Sequence, residues 1–198
     1  MIRIPRRPTG SIPSSALLLL VFAGCLPSRT EGPDERILEP EWNALPAMPA
    51  RPDAVEIHIH PIRARSNIST SLQYRKPTGE IQTDPIWSWS VAPNQYLSEV
   101  LDLVACSDAS IRLTDSARNL SLQVELIFCG IEEGPGGPAA RVSILARVRG
   151  ADRRVQVLEL EKRSPLDGEM PRSLSRAMGT CIVAVSRAAL AETRKRAR

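Results

Sequence analysis

Leu120-Ser121-Leu122-Gln123-Val124-Glu125-Leu126-Ile127-Phe128 is the longest clean alternation in the chain, with Leu120, Leu122, Val124, Leu126 and Phe128 at every second position and Ser121, Gln123 and Glu125 between them. Successive side chains on a strand point to opposite faces, so a period of two predicts a strand with one face in the core and one in water. Beyond it, Gly134-Pro135-Gly136-Gly137-Pro138 turns the chain, and Val142, Ile144, Ala146 and Val148 alternate with Arg141, Ser143, Leu145 and Arg147. Two strands joined this way pair antiparallel. Gly150-Ala151-Asp152 makes another reversal into residues 155–162, whose apolar parity slips at Val157-Leu158, the signature of a bulge.

Toward the N-terminus, Val55, Ile57 and Ile59 alternate with Glu56, His58 and His60 and stop at Pro61. Strands are expected over 72–76 and 80–83, around the turn residues Pro77-Thr78-Gly79, and over 86–90, after Pro85. The period then changes. Pro93 suits the first turn of a helix, where a missing N–H costs nothing, and Tyr96, Leu97, Val100, Leu101 and Val104 follow at three-and-four spacing. Ile111 and Leu113 suggest a short strand, and Leu174, Ala177, Met178, Cys181, Ile182, Val185 and Ala189 stack on one face of a helix over about 171–192. The pattern predicts an α+β domain over 55–192, a mostly antiparallel β-sheet with two main helices packed on one face. A stretch of that length matches one ordinary domain with a single core.

The first residues read differently. Arg3, Arg6 and Arg7 precede an apolar run over 16–23, too short to cross a bilayer as a stable helix. Phe22-Ala23-Gly24-Cys25 resembles a bacterial lipobox: a bulky apolar residue, two small residues, then the cysteine that receives lipid. The expectation is a cleaved signal peptide over 1–24, with a covalent diacylglyceryl and N-acyl lipid on Cys25 and no other cofactor. Acyl chains contribute about 0.8 kcal/mol per buried methylene, enough for lasting attachment. Leu26 in place of an aspartate favours the outer membrane in the enterobacterial sorting logic. From Cys25 to about Ala54 the prolines Pro27, Pro33, Pro40, Pro46, Pro49 and Pro52 predict an extended stalk, with Ile37, Leu38, Trp42 and Leu45 able to dock part of it.

The formal net charge of +4 drops by three, to +1, once the leader leaves, and a basic tail over 193–198 carries that excess in Arg194, Lys195, Arg196 and Arg198. Those charges suit solvent or anionic headgroups. The folded body lacks the basic stripe of a nucleic-acid binder, so no nucleic-acid partner is expected. Cys106, Cys129 and Cys181 remain in a compartment that permits disulfides; free buried thiols and one bridge with a spare both stay open.

The catalytic inventory is thin. His58 and His60 share a strand face as two zinc ligands would, yet no third ligand is fixed by sequence, so no metal site is expected. The glycine-rich turn lacks the lysine and following helix of a phosphate loop, no Gly-x-Ser-x-Gly elbow occurs, and Glu159 and Glu161 alternate on a strand as a solvated face does. No catalytic residue is assigned and an enzyme is not expected. Trp87, Trp89 and Tyr96 crowd into ten residues of a chain with three tryptophans and two tyrosines, and read either as core packing or as a partner-facing patch.

The lipobox, the proline stalk, the strand from Val55 with Pro61, Leu72-Gln73-Tyr74-Arg75, and Trp87-Ser88-Trp89-Ser90-Val91-Ala92-Pro93 leading into Tyr96-Leu97-Ser98-Glu99-Val100-Leu101 together resemble the auxiliary lipoproteins of ABC-type transport systems, the PqiC-like family. The likeness covers most of 55–190 and rests on order and spacing. It implies a lipid-anchored outer-membrane protein facing the periplasm of a Gram-negative bacterium, working beside MCE-type proteins and ABC transporter subunits to move lipid or hydrophobic solutes, often as a homo-oligomeric ring. The competing expectation is an envelope-assembly or pilot lipoprotein that binds an outer-membrane β-barrel. A lipoprotein enzyme would need the histidine pair to hold metal.

Overall fold

The computed structural model describes residues 35–116 and 120–197. The predicted leader and Cys25 lie outside the described residues. The chain forms β1 (Arg36–Leu38), β2 (Val55–Ile59), β3 (Arg63–Ala64), β4 (Ser71–Arg75), β5 (Ile81–Trp89), α1 (Pro93–Cys106), β6 (Ile111–Leu113), β7 (Ser121–Gly134), β8 (Gly137–Arg149), β9 (Val155–Pro165) and α2 (Arg172–Lys195). The fold is α+β, as the alternation predicts.

β7 is the spine. Its ladder with β8 runs from Ser121 opposite Arg149 to Gly134 opposite Gly137, and β8 continues into β9 from Ala139 opposite Pro165 to Arg149 opposite Val155. These long antiparallel ladders dominate the sheet. The other edge of β7 takes three short strands in succession, all parallel to it: β2 at Ser121 and Leu122, β3 at Glu125 and Leu126, β4 at Gly130 to Glu132. Residues 55–75 are thus one interrupted strand laid along β7, broken where Pro61 removes a donor and where a loop follows Ala64. β5 and β1 extend the sheet past β4, and β6 lies outside β2. Gly130 permits the close approach of β4, since a Cβ there would sit 2.2 Å from the Gln73 carbonyl oxygen.

Both helices pack into the core formed by one sheet face. Leu122, Val124 and Leu126 of β7, with Val142, Ile144, Ala146 and Val148 of β8, meet Leu174, Met178, Cys181, Ile182 and Val185 of α2 and Leu97, Val100 and Leu101 of α1 in one hydrophobic cluster. α2 is apolar and long enough to cross a membrane by length and composition, but 61% of that window is buried inside the domain.

Three strand readings need correction. The alternation of β7 does not hold to Phe128: a register shift between Leu126 and Phe128 puts Cys129 and Ile131 in the helix-side core. Phe128 is instead buried beneath two guanidiniums, Arg75 at 4.7 Å and Arg141 at 6.0 Å from the ring centroid. The bulge expected at Val157-Leu158 is absent. The β8/β9 ladder is unbroken, and Val155 and Val157 point outward at 55% exposure each. The strands expected over 80–83 and 86–90 are one, β5, because Pro85 falls where the β4/β5 register slips and Asp84 Oδ1 accepts hydrogen bonds from the Ile86 and Trp87 N–H groups at 2.7 and 2.8 Å.

Residues 35–52, expected to be part of an extended stalk, instead form a strap across the domain. β1 pairs with β5, Leu38 is 1% exposed, and the backbone N–H groups of Glu41, Met48 and Arg51 donate to the carbonyls of Ser175, Cys106 and Ala109. Main-chain bonds hold this segment, so its prolines interrupt it without releasing it. Trp42 and Leu45 pack on the core as anticipated, whereas Ile37 is 65% exposed.

Candidate functional site

Pro93 starts α1 without a side-chain cap, and one turn on, Tyr96 faces the end of β5. Its ring meets Trp89 at 6.5 Å and 75° and Trp42 of the strap at 6.2 Å and 73°, a chain of edge-to-face contacts. The Tyr96 hydroxyl and Ser90 Oγ are 2.6 Å apart, while Trp89 Nε1 is buried with no partner among the described residues. Trp89 and Tyr96 are therefore interior. Trp87 is half-buried at the rim, with the Arg36 guanidinium 5.3 Å above its ring. The structure thus divides the three sequence-predicted aromatics and adds a fourth, Trp42, from the strap.

Behind this chain a half-open cleft of about 790 Å³ lies between strap and α2, with Trp42, Leu45, Val183 and Ala184 as apolar lining and Arg176 and Arg187 as cations. Neither arginine forms an ion pair among the described residues. Arg187 also borders a second cleft of about 600 Å³, which holds Asp108, Arg194 and Arg51. Although burial works against it, Asp108 is held below the ordinary carboxylate range by the Ser110 hydroxyl and N–H, at 2.6 and 2.9 Å, and by Arg194 and Arg51. In the strap–α2 cleft, open walls with Glu41 and two cations that form no ion pair among the described residues, over an apolar floor, suit a contact with a partly apolar surface; enclosed chemistry would need more complete burial of a ligand.

The histidines do come together, their ring centroids 4.6 Å apart and perpendicular. His58 Nδ1 lies 3.0 Å from the Thr114 carbonyl, to which it donates, and a cleft of about 460 Å³ beside it includes Asp102 and Asp115. Burial, then His58, Arg149 and Arg63, lower the His60 pKa. Among the described residues no group of three or more His, Cys, Asp or Glu is placed to hold a metal. Cys106 is exposed and Cys129 and Cys181 are buried, all three as free thiols. Burial pushes Cys181 up to about 12 and Cys129 higher still, so neither supplies a thiolate nucleophile.

The sheet face opposite the helices carries a charge cluster that sequence reading missed. Arg141, 8% exposed, bonds Glu132 and, at 2.6 Å, Glu161, while Arg163 Nε reaches Glu132 at 2.9 Å. The alternation reads Glu161 as a solvated strand residue; the register that sets it opposite Ser143, beside Arg141, makes it a structural partner. Arg141 and Glu132 are the buried pair of this group, so removing either leaves the other uncompensated.

No protein-family profile matches the chain, and no curated protein matches it. Solved structures do. A protein of Xanthomonas campestris assigned to family DUF330 is similar at TM-score 0.62 and 17% identity, covering 80% of this chain and 93% of its own. An uncharacterized protein is similar at 0.60 and 9%, covering 82% and 98%. The hypothetical protein CT253 of Chlamydia trachomatis is similar at 0.54 and 14%, covering 72% and 97%. At these identities the likeness is one of fold alone.

Proposed function

We propose that this chain is an outer-membrane lipoprotein of the PqiC-like kind, acylated on Cys25 and facing the periplasm, that serves as the docking component of an MCE-linked, ABC-type system for lipid or hydrophobic solutes. What supports the reading is the joining of Phe22-Ala23-Gly24-Cys25, which resembles a lipobox, to a domain whose order of elements resembles that family's. Tyr74 and Arg75 close β4, Trp87 and Trp89 of β5 lead through Ala92-Pro93 into α1, and the β7/β8 pair and α2 complete the chain. The strap–α2 cleft, with Arg176 and Arg187 beside Trp42, supports a protein that holds partners. Energy comes from the transporter's nucleotide-binding subunit, and copies of this chain assemble as a ring around the cargo path.

Affinity purification of the native chain from cross-linked membranes tests the reading. An MCE-type protein and permease are expected in the eluate, and Cys25→Ala is expected to release a folded domain from the membrane with loss of transport. Recovery of an outer-membrane β-barrel without an MCE protein would assign the chain to the pilot class instead, and full transport by the unanchored variant would overturn a docking role.

A further inference from the structure

Arg147-Val148-Arg149-Gly150-Ala151-Asp152-Arg153-Arg154-Val155-Gln156-Val157 places four arginines and one aspartate around the β8–β9 turn. The turn is closed by hydrogen bonds from Gly150 N–H to the Arg154 carbonyl at 3.1 Å, from Arg153 N–H to the Gly150 carbonyl at 3.0 Å, and from Arg154 N–H to Asp152 Oδ1 at 3.0 Å. Register sets Val155 opposite Arg149 and Val157 opposite Arg147, so two outward valines lie between arginines on the sheet face away from the helices. The end of α2 reaches the same corner, where Arg196 Nε donates to Gln156 Oε1 at 2.9 Å. The acids nearby are Asp152, 3.7 Å from Arg154 Nε, Glu125, 3.4 Å from Arg147, Glu192, 2.5 Å from Lys195, and exposed Glu159. Cations outnumber them.

A second observation is independent of charge. Arg153 has φ +61°, the left-handed region in which a Cβ is penalised and glycine or asparagine is the usual occupant. The chain keeps a long cationic side chain at a turn position where a glycine would be more stable. A strained residue at a loop tip is reason to look for a function of its side chain.

We infer that this corner is a contact surface for an anionic phospholipid bilayer. The arginines bind lipid phosphates through paired N–H donors while Val155 and Val157 enter the boundary with the acyl chains. The exposed valines favour this occupant over an acidic protein face, because a bilayer rewards an apolar pair flanked by cations without a shaped pocket. The inference rests on the envelope reading only for the presence of a membrane.

Vesicle co-sedimentation tests it, using residues 26–198 so that neither an acyl group nor the basic, apolar leader contributes. At about 0.15 M salt the chain is expected to prefer phosphatidylcholine vesicles containing phosphatidylglycerol over neutral ones. Arg153→Gly and Arg154→Gln should each weaken that partitioning about fivefold, with Arg172→Gln, on the first turn of α2, as the neutral control. Arg153→Gly is also expected to raise Tm, which separates lost binding from lost folding. Unchanged partitioning of Arg153→Gly, or equal partitioning of the starting chain to both vesicles, would overturn the inference. So would variants that bind vesicles normally but lose an acidic partner protein. Vesicle binding needs no MCE protein, so this test and the co-purification fail separately.

Discussion

Trp89 and Trp87 stand two residues apart on β5 yet have different surroundings: one is 2% exposed against Tyr96, the other half-buried beneath Arg36. Trp89→Ala leaves a cavity in the core and is expected to lower stability by about 3–5 kcal/mol. Trp87→Ala removes a rim contact and should cost about 1–2 kcal/mol. Chemical denaturation of the two variants checks this; equal losses would mean the rings share one environment. Single residues were also where sequence reading reached its limit. Phe128 continued the alternation of Leu122, Val124 and Leu126, and nothing in Ile127 announces the extra residue that turns it to the other face. A bulge placed without glycine leaves no compositional trace. The valines at 155 and 157 misled in the opposite way, since apolar side chains in water look like a parity error until the register is known.

Elements with one face against the helices were legible, because burial imposes a period: β7 to Leu126, β8, α1 and α2 all follow it. The strap was not, because Glu41, Met48 and Arg51 are held through main-chain N–H groups that any residue except proline supplies. Its seat has a sequence counterpart in α2, visible only afterward: Gly179, where a Cβ would lie 1.7 Å from the Glu41 carbonyl oxygen. Gly179→Ala therefore forces the strap away from the helix. A loss of about 1–3 kcal/mol is expected, with faster proteolytic cleavage over 35–52. A variant that melts normally with the strap protected would show that the close approach is not required. Of the candidate site, Tyr96 and the tryptophans were visible as a cluster, but the cleft was not, since strap and α2 are more than a hundred residues apart in sequence.

At the scale of the molecule, acid stability has two identifiable components. His60 resists protonation in the folded state, so the unfolded chain takes up a proton near 6.5 while the native one does not. Stability therefore falls as pH drops through that range and levels off below the folded pKa. His60→Gln is expected to flatten the melting temperature between about pH 7.5 and 5.5; an identical slope in the variant would assign the loss to another group. Asp108, held below its ordinary value, adds stability that is present above 3.8 and lost as pH falls through its lower folded pKa. The docked strap has a further consequence at this scale. If lipid is bonded to Cys25, the leash is only the ten residues up to Glu35, which at 3.3–3.6 Å each reach at most ~35 Å. A domain on so short a lead cannot patrol the space between two membranes. On the proposed anchor it would stay in a thin layer over its own leaflet, where neighbouring copies would meet at high local concentration and any distant component would have to come to them.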